Sequence, residues 1–385
     1  MKLARRIDNL PPYVFAEIDK RVAEKRAQGI DVISLGIGDP VEPTPKNIID
    51  KLCEEANNPA NHRYPSYFGL SAFRRSIADW YKKRFNVDLD PNTEVLPLIG
   101  SKEGIAHINL AVLDPGDTTL IADPGYPVYN TGTILAGVSP VHVPLLEENG
   151  FLPDLSAIDS KTVKDAKMIM LNYPNNPTSA TADDAFFKDL IDWAQKNQVI
   201  IAHDNPYSEI TFDGYVAPSF LQFPGAKEVG VEFHSLSKTY NMTGWRIGWA
   251  CGNTRVIEAL GRVKTNIDSG IFNAIQYAGI EALEGPQDII DEMCGIYQRR
   301  RDLIMEALNK IGLKTRKSLA TIYVWAKVPD GYTSASFATY VLDKAGVIVS
   351  PGNAYGPSGE GYIRICLSVK DDRLVEALDR IESLI

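Results

Sequence analysis

Between about residues 93 and 270, short β-rich runs alternate with stretches of helical periodicity, and several of the apolar runs end abruptly in polar residues. Thr119–Ala122, Lys167–Leu171, Val199–Ala202 and Val231–His234 read as strands. Ile105–Leu113, with Ile105, Ile108 and Val112 on one face, and Asp183–Asn197 read as helices. Strands alternating with helices predict an α/β domain: a mostly parallel sheet flanked by helices. The same pattern says where chemistry should sit, because ligands in such sheets bind beyond the carboxyl ends of the strands. Two runs go from core into chemistry there, Ile200-Ile201-Ala202-His203-Asp204 and Met170-Leu171-Asn172-Tyr173-Pro174-Asn175-Asn176.

From about residue 286 the pattern changes. A long amphipathic helix is predicted over Gln287–Lys310, then strand-like runs at Ile322–Trp325 and Tyr362–Leu367, and a closing helix over Asp371–Leu384. A chain of 385 residues is long enough for two domains. We expect a large domain over 47–285, and a smaller α+β domain made of 286–385 joined by the N-terminal segment 1–46. No internal repeat or low-complexity linker interrupts the chain.

The formal net charge of −9 argues against a nucleic-acid surface, so any positive group that binds an anion has to be local. Cys53, Cys251, Cys294 and Cys366 are far apart and form no C-x-x-C pair. Free thiols in a reducing cytosol fit them better than disulfides or zinc. The five histidines show no ligand spacing either, so no metal is expected. No run approaches the ~20 apolar residues that a membrane span needs, and no leader is evident; a cytoplasmic protein with no membrane partner is expected.

The stretch Ser235-Leu236-Ser237-Lys238-Thr239-Tyr240-Asn241-Met242-Thr243-Gly244-Trp245-Arg246-Ile247-Gly248 sets one lysine among hydroxyls, with a glycine and an arginine shortly after. Alone, a lysine in such a loop reads as a solvated surface residue. The arrangement also suits a lysine that forms a Schiff base with pyridoxal 5′-phosphate (PLP), with Ser235, Ser237 and Arg246 on the phosphate. The other needs of PLP are met elsewhere. Its ring nitrogen requires a carboxylate, and Asp204 stands at a strand end. Its ring oxygen requires donors, for which Tyr207 and Asn176 are placed. Its phosphate requires backbone N–H groups at a helix start. Gly100-Ser101-Lys102-Glu103-Gly104 supplies such a start, with Ser101 as the capping residue and Ser101 and Lys102 near the phosphate. Tyr126 is the aromatic expected to stack on the ring. Each has a plainer alternative: a turn aspartate, an Asn-Pro turn, an ordinary helix cap, a packed tyrosine.

Taken in chain order, this set resembles the PLP fold type I aminotransferases of class I/II, and the resemblance covers essentially the whole chain. It implies a homodimer with shared active sites, in which Tyr64 reaches the phosphate of the other subunit. It further implies that the loop Gly36-Ile37-Gly38-Asp39-Pro40 closes over substrate with Gly38 near the α-carboxylate, and that Arg364 grips that carboxylate as a fork. Three phrases, Leu10–Phe15, Gly100–His107 and Asp268–Asn273, are similar to the LL-diaminopimelate aminotransferase branch, which implies substrate contacts by Tyr13, Lys102 and Asn273. One departure stands out. Plant-like members carry a glutamate shortly after the position of Tyr64, where this chain reads Pro65-Ser66-Tyr67-Phe68. Either another residue accepts the distal ammonium or the substrate range differs. The resemblance implies ping-pong transamination by Lys238, Asp204 and Tyr207 between glutamate/2-oxoglutarate and LL-diaminopimelate/tetrahydrodipicolinate. The alternatives are an aminotransferase for alanine, aspartate or aromatic amino acids, a PLP-dependent C–S lyase, and a non-catalytic PLP-binding regulator.

Overall fold

A computed structural model describes residues 3–11 and 14–384. Among the described residues there are twelve strands, in chain order β1 (Ile33–Ser34), β2 (Val95–Leu98), β3 (Thr118–Asp123), β4 (Ser139–Pro144), β5 (Ala166–Asn172), β6 (Ile200–Asp204), β7 (Gly230–Ser235), β8 (Gly248–Gly252), β9 (Tyr323–Lys327), β10 (Val347–Ile348), β11 (Ser350–Pro351) and β12 (Tyr362–Cys366). Seven of them form the central sheet in the order β2-β8-β7-β6-β5-β3-β4. Only β8 runs against its neighbours β2 and β7; the other pairings are parallel. The expected α/β architecture is therefore observed.

Apart from the edge strand β4, the sheet is largely buried on both faces, which is why its inner strands read as nearly continuous apolar runs. Side chains alternate across it. Ile169 and Leu171 of β5 pack with Ile201 of β6 on one side, while Met168, Met170 and Ala202 pack on the other. Each fully buried Leu or Ile contributes about 1.5–3 kcal/mol relative to exposure. Helix Ser101–Val112 buries Ile105 and Ile108, and helix Asp184–Asn197 buries Phe187, Leu190 and Ile191, with Asp183 capping it by accepting from Phe186 N. The parallel register sets Asn172 beside Asp204, so the polar ends of β5 and β6 meet at one edge.

The C-terminal third is built differently. Helix Asp288–Lys310 buries Met293, Tyr297, Ile304 and Leu308, starting one residue later than the periodicity suggests. The antiparallel sheet β11-β12-β9 and the closing helix Asp371–Glu382 complete this part. The N-terminal segment joins it. β1 pairs in parallel with β10, and Ile33 and Leu35 enter the same apolar cluster as Ile304, Val324, Ile365 and Leu374. The Gly36 carbonyl accepts from Arg364 Nη2 at 2.8 Å and Ser350 Oγ at 2.7 Å, and the Ile37 carbonyl accepts from Ser368 Oγ at 3.0 Å. These bonds lay residues 36–39 across the carboxyl edge of the central sheet. Among the described residues no helix is long and apolar enough to cross a membrane.

Candidate active site

A cavity of about 360 Å³ opens at that edge. The strand ends supply Asn172, Asp204 and Ser235 to its lining, and the connections beyond them supply Asn176, Tyr207, Ser237, Lys238 and Arg246. Ser101, Lys102 and Tyr126 come from the far side, and Ile37, Gly38 and Asp39 from the N-terminal loop. The predicted cofactor residues thus converge from segments up to 145 positions apart, with Tyr64 the exception.

Asp204 is 5% exposed. Its Oδ2 accepts from Tyr129 Oη at 2.9 Å, while Oδ1 finds no partner among the described residues. Burial pushes its pKa from an ordinary 3.8 up to about 7, against the lowering effect of the Tyr129 bond. Asn172 braces the neighbourhood: its Nδ2 donates to the Asp204 carbonyl at 2.6 Å, and its Oδ1 accepts from Asn176 N at 2.6 Å. Asn176 Oδ1 in turn accepts from Arg364 Nη1 at 2.7 Å, which leaves its amide NH₂ as the donor end.

Lys238 lies in the short helical turn Leu236–Thr239, capped by Ser235, whose Oγ accepts from Ser237 N at 3.1 Å. Its Nζ donates to the Gly38 carbonyl at 2.5 Å. Burial lowers its pKa to about 8, so an amine that a surface loop would keep charged has an accessible neutral form. The surface alternative for Lys238 is excluded by this placement.

The anion-binding corner depends on two glycines. Gly100 has φ +76°, and a Cβ there would stand 2.4 Å from Arg246 Nη2. A Cβ on Gly248 would stand 2.9 Å from Ser101 N. Only glycine lets the guanidinium and β8 approach the start of helix Ser101–Val112, whose first N–H groups have no preceding turn to bond. One expectation is corrected here. Ser101 does not cap this helix: Gly100 occupies the cap position without a side-chain bond, and Ser101 is the first helical residue. Its hydroxyl is not spent on the cap, and Ser101 lines the cavity.

Tyr207 Oη lies 2.9 Å from Tyr323 Oη. Tyr126 packs edge-on against Tyr129, and Lys102 Nζ lies 5.9 Å from the Tyr126 ring centroid. Arg364, 1% exposed, lies just behind the cavity wall through its bond to Asn176. Two predicted residues, Tyr64 and Asn273, do not line this cavity. Tyr64 is 85% exposed and lines a separate surface depression with Ser269, Gly270 and Phe272, beside the half-buried Asn273. Tyr13 lies outside the described residues.

PLP fits this donor set: an unpartnered buried carboxylate oxygen for a ring N–H, an amine of lowered pKa, and a cradle of hydroxyls, helix start and guanidinium that a single Cβ would fill. Sequence reasoning missed Tyr129, Asn172 and Tyr323. Tyr129 had a faint signal, one helical turn after Tyr126. Asn172 stood at a strand end whose polar residues were already suspect. Tyr323 had none, since Tyr207, which its hydroxyl meets, is 116 residues away.

A family profile described as aminotransferase class I and II matches residues 30–381. A protein of Moorella thermoacetica named LL-diaminopimelate aminotransferase is 60% identical over 385 residues, covering 100% of this chain and 99% of its own. One of the same name from Halothermothrix orenii is 57% identical over 383 residues, covering 100% and 98%. The solved structure of substrate-bound BacF from Bacillus subtilis matches with a TM-score of 0.95 at 36% identity, over 100% of this chain and 98% of that one.

Proposed function

The chain belongs to the class I and II aminotransferase family, which uses PLP, and from that premise we propose that it transfers the amino group of LL-diaminopimelate to 2-oxoglutarate. The amino donor and acceptor pair belongs to lysine and diaminopimelate biosynthesis. The observation that carries the chemistry is the pairing of Lys238 Nζ with the open Oδ1 of Asp204 in one cavity. The donor is supported by full-length identity of 60% and 57% to two proteins of that name.

When bound, PLP supplies an electron sink for negative charge at the Cα of the amino acid. Lys238 Nζ attaches the cofactor. Once released, it takes the Cα proton of the donor as general base and returns a proton as general acid. Asp204 Oδ1 holds the proton of a ring nitrogen in place by its charge. Tyr207 Oη and Asn176 Nδ2 donate to the ring oxygen, Tyr126 stacks on the ring, and Ser101, Lys102, Ser235, Ser237 and Arg246 hold the phosphate. Arg364 grips the α-carboxylate as a fork, and Gly38 leaves room for it. Tyr13, Lys102 and Asn273 read the distal end.

Tyr64 serves a second copy of the chain in this proposal, which makes the enzyme a homodimer. Its 85% exposure and its neighbour Phe272, also exposed, are what a partner would cover. We also propose a large domain of 47–285 and a small one of 1–46 with 286–385, and a cytoplasmic location that suits four free cysteines. A second donor class, alanine, aspartate or aromatic amino acids, is favoured by one observation, the absence of an acid in Pro65–Phe68.

Borohydride treatment of the purified protein should fix a PLP-sized mass on the peptide containing Lys238. Lys238→Ala should lower turnover by at least ~10²–10⁴-fold; full turnover in that variant overturns the assignment. A coupled assay with LL-diaminopimelate, meso-diaminopimelate, alanine and aspartate as donors decides the substrate, and an inert LL-diaminopimelate overturns the first choice.

A further inference from the structure

Tyr323, on β9 and 3% exposed, has no part in the assignments above. Its hydroxyl lies 2.9 Å from that of Tyr207. Its ring lies beneath the Arg364 guanidinium, whose Cζ is 4.1 Å from the ring centroid. A Cβ on Gly38 would stand 2.5 Å from Tyr323 Oη, so the loop that receives Lys238 Nζ rests on the same hydroxyl. The backbone is anchored as well: the Tyr323 carbonyl accepts from Ser179 Oγ at 2.8 Å and Ser318 Oγ at 3.1 Å.

A phenol carries one proton to donate. If Tyr207 spends its proton on a ring oxygen in the cavity, the proton between the two phenols has to come from Tyr323. The direction of the bond is then fixed, and with it the rotamer of the Tyr207 O–H. The ring of the same residue limits where the Arg364 fork can lie, since a guanidinium over an aromatic face is attracted to it.

We infer that Tyr323 is a positioning residue: its hydroxyl orients Tyr207 as a donor into the cavity, and its ring seats Arg364. The carboxylate grip and the ring-oxygen donor are ordered by one side chain. This rests on the roles proposed above for Tyr207 and Arg364, and the two halves of Tyr323 can be removed separately.

In the holoenzyme, Tyr323→Phe removes the hydroxyl and keeps the ring. It should lower kcat about tenfold with KM for the amino donor changed less than about twofold. It should also move the absorption maximum of the bound cofactor in the direction that Tyr207→Phe moves it. Tyr323→Leu removes both parts, and KM should then rise about tenfold as well. In a Tyr207→Phe background, Tyr323→Phe should have no further effect on kcat or absorption, because the group it orients is gone. Additive effects in the double variant overturn the inference, as does an unshifted spectrum in Tyr323→Phe alongside a shifted one in Tyr207→Phe. An unshifted spectrum in Tyr207→Phe itself overturns the ring-oxygen assignment and the inference with it.

Discussion

Two carboxylates sit on adjacent strands of the central sheet, both buried, and they behave in opposite ways. Glu232 of β7 is 0% exposed and well supplied with donors. Tyr81 Oη and Ser219 Oγ reach its Oε1 at 2.8 Å each, and Phe220 N at 3.1 Å and His203 Nδ1 at 3.0 Å reach its Oε2. Burial works to raise its pKa, but the hydrogen bond and charge of His203, with Ser219 and Tyr81, outweigh it and hold the carboxyl below its usual range. Asp204 of β6 is about as deeply placed and has one side-chain donor, Tyr129, on one oxygen. Burial dominates there, Glu232 adds repulsion, and the pKa climbs to about 7. Depth does not separate the two groups; the number of donors does. A satisfied buried carboxylate is structure, and a half-satisfied one is a site waiting for a donor from outside the chain.

The comparison can be broken at several points. The largest effect is expected at Asp204. Asp204→Asn should lower kcat by about a thousandfold, the upper range for losing a preorganised electrostatic contact. The same change should stabilise the cofactor-free protein. Because the folded-state pKa is raised from 3.8 to about 7, the wild type binds extra protons in that window, so its stability falls as pH rises from about 4 through 7 and stays low above. The asparagine lacks this loss. Unfolding free energies of the two cofactor-free proteins, read in urea, should agree best near pH 4 and diverge to a plateau above pH 7, by at most about 4 kcal/mol. A wild type as stable as the asparagine variant at pH 8 would mean that Asp204 is satisfied after all.

Glu232→Gln should do the reverse. Swapping a charged acceptor for a neutral amide strands part of the donor set, at a cost of about 1–3 kcal/mol in urea unfolding, with kcat nearly unchanged. A variant that folds as well as wild type but loses activity would erase the distinction between the two carboxylates. Tyr129→Phe should have the smallest effect. Losing one hydrogen bond to a charged group should cost about 1.5 kcal/mol or somewhat more, read as a roughly tenfold drop in kcat. It removes the one influence that lowers the Asp204 pKa, so the stability plateau of the cofactor-free protein should begin at higher pH than in wild type. An unmoved onset would separate Tyr129 from the carboxylate.

Much of this was legible in local sequence. A run of apolar residues ending in His203-Asp204, a lysine between hydroxyls and a glycine-rich helix start are patterns within a few neighbouring positions. Strand burial, turn formation and helix starts are decided at that range. Even there the detail slipped at Gly100-Ser101, where a serine before a helix reads as a cap and the backbone conformation that only glycine adopts easily made Gly100 the cap instead. Glu232 lies in a run that reads simply as a strand, Val231–His234, and nothing near it names its side-chain donors, Tyr81, His203 and Ser219.

Read alone, the sequence carried the α/β architecture, the lysine set among hydroxyls and the residue types around it, because hydrophobic periodicity and loop chemistry are short-range properties. Tertiary structure alone decided which polar groups satisfy one another. Lys238 meets the Gly38 carbonyl across 200 positions, Arg364 meets Asn176 across 188, and Tyr323 meets Tyr207 across 116. Those pairings follow from how the N-terminal loop and the C-terminal sheet close over the strand ends. A donor count, and with it the ionisation of Asp204 and Glu232, exists only once that packing is in place.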